Sequence, residues 1–207
     1  MFLDTTRTNI WSVKTQLKGL LAKREKQRIE DAGRVPSAVL IPLYQKEGQC
    51  HIVFIRRTET VTVHKGQISF PGGSRETSDK TLLDTALRES QEEIGLSPDD
   101  IEVIGELDDE ITTTPNYIVP PFVATIPWPY RFTMNQAEVD EILEVPIAAL
   151  MSGDCCKPAI ETIDEGIVVD SYNYHYDNRL IWGATARILH KFLGIYKQAV
   201  PDIASTE

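Results

Sequence analysis

The sequence predicts an α/β protein in which a mixed β-sheet lies between helices. Many short segments have the apolar pattern of buried strands, for example Ser37 to Tyr44 and Cys50 to Arg56. Helical patterns are few, and they are well separated along the chain. A sheet with many strands must bury both of its faces, and helices on each side achieve this. The expected architecture is therefore an α/β/α sandwich with a mixed sheet.

At 207 residues the chain is long enough for one domain with short extensions. We expect an N-terminal helical extension over residues 1–33, a main domain over 34–196 and a tail over 197–207. The helical spacing in the extension is carried by Val13, Leu17, Leu20 and Leu21. This helix could cap the domain, contact a partner subunit in a homodimer or touch an anionic membrane. Capping is the expectation, because the helix has few large apolar anchors.

The first strands and the central helix follow in order. Residues 46–49 are typical of a tight turn between two strands. A glycine segment over residues 70–73 then leads to a helix, whose apolar stripe is formed by Leu83, Leu87, Ser90 and Ile94. Gly95 fits the position where a left-handed residue ends a helix.

Beyond that helix, strands are predicted at Ile101 to Ile111 and at Ile118 to Ile126. Two prolines place the second of these strands at a sheet edge or a bulge. Val139 to Met151 predicts a mixture of strand and short helix. The tyrosines between residues 172 and 176 alternate with polar residues, as strand faces do, and we expect them to pack rather than to bind a base. The last helix is predicted at Ile181 to Tyr196.

Composition argues against several classes of function. Lys and Arg total 21 against 31 Asp and Glu, a net charge of −10 that is poorly suited to nucleic acid, so we expect no nucleic-acid partner. The first residues lack the apolar core of a secretory signal, and no apolar run approaches membrane-spanning length. Three cysteines cannot all pair within one chain, which fits a reducing compartment. These features predict a cytoplasmic protein without a membrane partner.

The clearest chemical signal is a stripe of acidic residues on the central helix. Because an α-helix turns by about 100° per residue, Glu89, Glu92 and Glu93 lie on one face. Their mutual repulsion is tolerable around a divalent cation, since carboxylates and substrate phosphates suit Mg²⁺. A solvated surface helix would also carry such residues, but it would not require the glycine turn upstream. The pattern predicts a metal-binding helix beside a glycine turn.

Together these residues resemble the Nudix box. The matching positions are Gly73, Arg88-Glu89, Glu92-Glu93 and Gly95-Leu96. The chain departs from the family pattern in three ways: the spacing from Gly73 to Arg88 is one residue longer, the upstream acidic position is filled by Asp79, and Ser90 replaces an apolar residue. The resemblance implies the Nudix α/β/α fold and a diphosphatase that uses Mg²⁺ or Mn²⁺.

The longer spacing and Asp79 resemble the branch of the family that hydrolyses coenzyme A and its derivatives. Arg57-Thr58 and the segment 64–73 resemble the upstream signature of that branch, and residues 181–187 resemble a later part of it. Family members carry an Arg where this chain has Thr62, and a threonine cannot bind phosphate bidentately.

The resemblance thus implies cleavage of coenzyme A or acyl-coenzyme A into 3′,5′-ADP and a 4′-phosphopantetheine product. Thr62 keeps open a diphosphatase for ADP-ribose or another nucleoside diphosphate derivative. A nucleotide-binding sensor that does not hydrolyse its ligand is an alternative of another class. The three clustered carboxylates argue against the sensor, which has no evident need for them.

The resemblance also implies residue roles around the metal. Glu89 and Glu93 are expected to be the principal metal ligands, with Glu92 as a further ligand or a water-mediated contact. Glu89 is also the leading candidate for general base, and later carboxylates that could take that role are Glu138 and Glu141. Arg88 projects about 100° away from Glu89 and is expected to orient a carboxylate through a salt bridge.

Substrate binding is expected upstream of the helix. His64, Lys65 and Gln67 could recognise the nucleotide or its 3′-phosphate, although such a loop could equally satisfy its own backbone. Gly72 and Gly73 would allow the metal or the phosphates to approach the backbone closely, and at least one of them is expected to need a positive φ.

Overall fold

The computed structural model describes residues 10–58, 66–112, 116–163 and 166–200. The helices in these ranges are α1 (Ile10–Lys23), α2 (Leu82–Ile94), α3 (Ile147–Leu150) and α4 (Gly183–Ala199). The strands are β1 (Val35–Lys46), β2 (Gln49–Arg57), β3 (Ile68–Ser69), β4 (Gly72–Ser74), β5 (Glu102–Glu106), β6 (Glu110–Ile111), β7 (Tyr117–Val119), β8 (Pro121–Thr125), β9 (Val139–Pro146), β10 (Cys156–Ile163), β11 (Ile167–Tyr176) and β12 (Arg179–Ile181).

Within the described ranges, strand β1 lies at the centre of a mixed sheet of nine strands. It pairs antiparallel with β2 and β4, and parallel with β7 and β8. Strand β2 also pairs with β3 and β9, β5 pairs with β8, and β6 pairs with β7. Strands β10, β11 and β12 form a separate antiparallel sheet. The coexistence of parallel and antiparallel pairs confirms the predicted mixed sheet.

Alternate side chains of β1 point to opposite faces of the sheet, as strand geometry requires. Leu40 belongs to an apolar cluster with Ala86 and Ile94 of α2. Ile41 belongs to a second cluster, which includes Leu17 of α1 and further residues of α4. Each face of the sheet is therefore covered by helix, which confirms the α/β/α sandwich.

Helix α1 covers part of the face that α4 also covers. Its apolar stripe, which includes Val13, Leu17 and Leu21, is buried in the same cluster as Phe192 of α4. Basic residues after the helix bind the acidic segment after β5, as in the Arg24–Asp108 pair at 2.7 Å. Among the described helices, none combines the length and the apolar composition needed to cross a bilayer.

The two strands predicted between residues 101 and 126 are each divided. The chain leaves the ladder between β5 and β6, where Asp108 and Asp109 accept backbone N–H groups of Gln27 and Ile29. A break at residue 120 separates β7 from β8. Of the two expected positions, a sheet edge is wrong, since β8 pairs with β1 on one side and β5 on the other, whereas the β5–β8 ladder does contain a bulge or irregularity between Val103 and Gly105. Pro121 is tolerated there as the first residue of its strand.

The start of the last helix also differs from the prediction. Residues 179–181 pair with β11 as β12, so α4 begins at Gly183 and continues to Ala199. The predicted packing of the tyrosines is confirmed, because Tyr174 is buried and the Tyr172 ring stacks on His190 with 3.5 Å between ring centroids. The end of the predicted tail, residues 201–207, lies outside the described part of the chain.

Candidate functional site

Helix α2 has a defined cap at each end. The Thr81 hydroxyl accepts the Asp84 N–H at 3.1 Å, and the Asp84 carboxylate accepts the Thr81 N–H at 2.8 Å. This reciprocal capping box fixes the first turn. Gly95, with φ of 67°, ends the helix in the left-handed region, as predicted. The caps fix where α2 begins and ends, and the packing of Ala86 and Ile94 in one cluster with Leu40 decides which helix face is turned away from the core.

The glycine turn permits two close approaches. Gly72 has φ of 153°, and a Cβ built on it would lie 2.2 Å from the carbonyl oxygen of Ala38. A Cβ on Gly73 would lie 2.5 Å from a carboxylate oxygen of Glu89. Gly72 therefore fulfils the expectation of a positive φ in this turn. Gly73 instead leaves the space in which the Glu89 carboxylate lies against the strand.

Glu93 is fully buried behind this turn, with 0% of its surface exposed. Its carboxylate accepts the Gly72 N–H at 3.0 Å and Nη1 of Arg57 at 2.9 Å. Burial raises the pKa of Glu93 to about 8, although both of these partners oppose the rise. The nearby carboxylates of Glu89 and Glu138 raise this pKa further.

Glu138 reaches the same region from the turn before β9. Arg57 pairs with Val139 in the β2–β9 ladder, and the Thr58 N–H donates to the Glu138 carbonyl at 2.9 Å. Burial is the main factor that raises the pKa of Glu89, and Glu138 contributes to the rise. The charges of Glu89, Glu93 and Glu138 thus act on one another within a small region of negative potential.

Arg88 links the remaining acidic residues of the motif. Its guanidinium donates to both Asp79 carboxylate oxygens at 3.1 Å, and Nη1 donates to Glu89 and to Glu92 at 2.9 Å. The same guanidinium lowers the pKa of Asp79 to about 2. The Glu92 side chain is 54% exposed, so this carboxylate lies at the solvent side of the group. The Arg88 guanidinium therefore bridges the carboxylates of Asp79, Glu89 and Glu92.

A cavity of about 760 Å³ adjoins these residues. The residues with predicted roles that line it are Gln67, Gly72, Gly73, Glu89 and Glu138. Glu93 adjoins the cavity through Gly72 and Arg57, whereas Arg88 and Glu92 are not part of its lining. His64 and Lys65, together with Thr62, lie outside the described residues.

The two late carboxylates differ in position. Glu138 lines the cavity, and its side chain accepts the neutral amide of Asn135 at 3.3 Å. Glu141 is not part of the lining; its carboxylate binds Arg179 at 2.5 Å and Arg56 at 3.6 Å. The structure therefore associates Glu138, and not Glu141, with the carboxylates of α2.

The chemistry of the donor set fits a divalent cation. Within the described part of the chain, no three acidic, histidine or cysteine side chains already surround a single point at coordinating distances. The carboxylates of Glu89 and Glu138 nevertheless raise the pKa of Glu93, and Glu138 also raises the pKa of Glu89, because Arg57 and Arg88 neutralise this group of negative charges only in part. Hard oxygen donors in such a potential suit Mg²⁺ or Mn²⁺.

Two parts of the site were not assigned from the sequence. The contact between Arg57 and Glu93 joins residues 36 positions apart, and only the upstream resemblance at Arg57-Thr58 pointed to this region. The second part is the cavity wall formed by the start of α4, including Trp182 and Arg187. Its only signal was the resemblance over residues 181–187.

Comparisons with known proteins identify the family and the fold. The model of the NUDIX domain family matches residues 34–157. The chain is 34% identical to the uncharacterized Nudix hydrolase NudL of Photorhabdus laumondii, over 80% of this chain and 86% of that protein. It is 32% identical to the uncharacterized Nudix hydrolase NudL of Pectobacterium atrosepticum, over 75% of this chain and 79% of that protein. A crystal structure of a MutT/nudix family protein from Enterococcus faecalis shares the fold, with a TM-score of 0.51 at 15% identity over 95% of this chain and 76% of that one.

Proposed function

Because this chain belongs to the Nudix family of pyrophosphohydrolases, we propose that it hydrolyses the pyrophosphate bond of coenzyme A or acyl-coenzyme A. The products would be 3′,5′-ADP and (acyl-)4′-phosphopantetheine. The observation that carries the hydrolytic part is that Glu89 and Glu138 line one cavity beside the glycine turn, while Glu93 is buried behind that turn and its pKa is raised by both of them. The resemblance of residues 64–73 supports coenzyme A as the substrate.

In this proposal Glu89 and Glu93 hold a Mg²⁺ or Mn²⁺ ion, with Glu92 as a further or water-mediated contact. When bound, such an ion neutralises pyrophosphate charge and lowers the pKa of water. Arg57 and the Gly72 N–H hold the Glu93 carboxylate in place. Arg88 does the same for Glu89 and Glu92, and is itself held by Asp79.

We assign the proton-accepting role to Glu138. One oxygen of Glu89 is committed to a charged hydrogen bond from Arg88, although burial still raises the pKa of this carboxyl group. Glu138 lines the cavity with a neutral side-chain partner, Asn135. A base must reach the attacking water directly or through another water, and a carboxylate at the cavity wall meets that requirement. Glu89, the candidate favoured by the sequence, becomes chiefly a ligand.

Substrate binding involves both described and undescribed residues. Gln67, Gly72 and Gly73 line the cavity, and their backbone lies where the phosphates would approach. Arg57 also lines it, and its Nε has no hydrogen-bond partner among the described residues. His64 and Lys65 are assigned to the nucleotide or its 3′-phosphate on the resemblance alone.

The direct test is a substrate panel with Mg²⁺ or Mn²⁺. Coenzyme A, ADP-ribose and a nucleoside triphosphate are incubated separately with the purified protein, and the products are resolved by chromatography and mass. We expect 3′,5′-ADP from coenzyme A as the dominant product. Thr62, in place of an Arg, favours ADP-ribose as the second candidate, and preferential cleavage of ADP-ribose would reject coenzyme A. Turnover of no substrate would favour the sensor.

A further inference from the structure

One wall of the cavity has no part in the proposed chemistry. It is formed by Trp182 and residues 183–185 at the start of α4, together with Glu161 of β10 and Tyr117 of β7. Trp182 is 44% exposed, although tryptophan is usually well buried in folded proteins. A large aromatic ring that is exposed at a cavity wall, beside small residues, is suited to contact a ligand.

The cation on this wall is already neutralised. Arg187 is 6% exposed and donates to Glu110 at 3.1 Å, to the Ile111 carbonyl at 2.8 Å and to Glu161. Lys191 also donates to Glu110 at 2.9 Å, so the two cations Arg187 and Lys191 and the two carboxylates Glu110 and Glu161 balance one another. In the described part of this wall, no other Lys or Arg is present.

The amino end of α4 is balanced as well. A helix amino terminus carries partial positive charge and by itself would attract an anion. Here a Glu161 oxygen lies 3.8 Å from the position of a Cβ on Gly183. The Glu161 carboxylate thus already lies beside the first turn of α4, and it also accepts the Ser171 hydroxyl at 3.2 Å. An added phosphate at this wall would meet a carboxylate without an uncommitted cation.

We infer that the Trp182 wall binds the uncharged arm of the substrate, which is the pantetheine arm of coenzyme A. This inference rests on the proposed function. The adenosine arm carries a 3′-phosphate of about −1.5 to −2 charge, for which this charge-balanced wall offers no uncommitted cation. The pantetheine arm is neutral; its methyl groups can contact the Trp182 ring, and its amide N–H groups can donate to Glu161. The arm with the 3′-phosphate is then directed away from this wall.

The test compares the two halves of the substrate as ligands. Binding of 4′-phosphopantetheine and of 3′,5′-ADP is measured by calorimetry on wild type, Trp182→Ala and Trp182→Phe. Leu180→Ala is the matched control, because Leu180 is 41% exposed, lies two residues away and does not line the cavity. Loss of the aromatic contact in Trp182→Ala should weaken the affinity for 4′-phosphopantetheine about tenfold. The affinity for 3′,5′-ADP should change by less than about twofold. Trp182→Phe should give an intermediate loss, and Leu180→Ala should change neither affinity.

The opposite pattern would overturn the inference. If Trp182→Ala weakens 3′,5′-ADP and leaves 4′-phosphopantetheine unchanged, the base occupies this wall; if neither affinity changes, the wall binds neither arm. Hydrolysis of coenzyme A by the wild type is scored separately. If the wild type cleaves coenzyme A but Trp182→Ala weakens only 3′,5′-ADP, the proposed function is retained. The assignment of the pantetheine arm to the Trp182 wall is then rejected. If Trp182→Ala weakens binding of 4′-phosphopantetheine as expected but the wild type does not cleave coenzyme A, the proposed function is rejected. The preference of the Trp182 wall for the pantetheine arm is then retained.

Discussion

At the scale of single residues, the central feature is a carboxylate removed from water. Glu93 is fully buried, and its ionised form depends on one guanidinium and one backbone N–H. A lone buried charge is costly, and these partners compensate for it only in part, since the pKa of Glu93 is still raised to about 8. A bound cation would neutralise the part of the buried Glu93 charge that the guanidinium and the backbone N–H leave uncompensated.

The first prediction ranks the carboxylates of α2. Glu93→Gln should lower the rate of metal-dependent hydrolysis by about 100-fold or more, because a neutral amide is a weak ligand for a hard cation. Its unfolding midpoint should stay close to that of the wild type, since the amide retains the shape of the carboxylate. Glu92→Gln should have a smaller effect, because this side chain is exposed and outside the cavity lining. Initial rates and thermal unfolding measure both effects; equal losses would contradict the ranking.

The second prediction separates Glu138 from Glu141. Glu138→Gln should lower kcat by about 100-fold or more with little change in KM, as expected when a general base is removed. Glu141→Gln is the control, since Glu141 pairs with Arg179 and Arg56 outside the cavity lining. Steady-state kinetics at saturating metal measure both variants. A Glu138→Gln enzyme with wild-type kcat would return the role of base to Glu89.

At the scale of elements, the glycine turn fixes the distance between β4 and α2. The two glycines are adjacent but face different neighbours, one a backbone carbonyl and the other a side chain. Backbone cannot move away without disturbing β1, whereas a carboxylate can rotate. The same substitution at the two positions should therefore have different consequences.

The third prediction uses this contrast. Gly72→Ala should lower the free energy of unfolding by about 2 kcal/mol or more, because the new Cβ overlaps the Ala38 carbonyl at an unfavourable φ. Gly73→Ala should chiefly lower activity, because its Cβ displaces Glu89. Denaturant unfolding and initial rates distinguish the two. A fully active Gly73→Ala enzyme would show that the close approach of Glu89 is dispensable.

The fourth prediction concerns the packing of α4 on β11. His190 stacks on Tyr172, its Nδ1 is 2.9 Å from the Tyr174 hydroxyl, and burial lowers its pKa. The unfolded state therefore binds a proton more readily, so this contribution to stability is present above about pH 6.5 and is lost as the pH falls through the folded pKa. His190→Phe should reduce the decline in unfolding free energy between about pH 7 and pH 5. An unchanged decline would exclude His190 as its source.

At the scale of the whole molecule, local signals predicted more than long-range ones. Helix α2, its end at Gly95 and the tight turn after β1 depend on neighbouring residues, so sequence patterns were sufficient to predict them. The approach of Glu138 to Glu93 depends instead on the β2–β9 register, in which Arg57 pairs with Val139. No spacing along the chain encodes that register, and Glu138 and Glu141 were therefore indistinguishable.

The same reason explains the wall at α4. Residues 181–187 were recognised only as a resemblance, and their contribution to the cavity arises from packing of α4 beside β6 and β10, as in the contacts of Arg187 with Glu110 and Glu161. The prolines likewise left a sheet edge and a bulge open for β8, since they restrict a strand locally but do not reveal which strands flank it. Both features depend on contacts between residues that are far apart in the sequence, and local propensity does not encode such contacts.

The central claim is that carboxylates of α2 form a metal centre. Its most direct test is a titration of Mn²⁺ into the protein without substrate, in which electron paramagnetic resonance measures the concentration of free Mn²⁺. The carboxylates of Glu89 and Glu93 should bind Mn²⁺ in the wild type, and Mg²⁺ should compete with Mn²⁺ for this site. Binding should weaken by about tenfold or more in a Glu89→Gln, Glu93→Gln double variant, and Glu141→Gln should bind as the wild type does. Equal Mn²⁺ binding by the wild type and the double variant would contradict the assignment of these carboxylates as the metal centre.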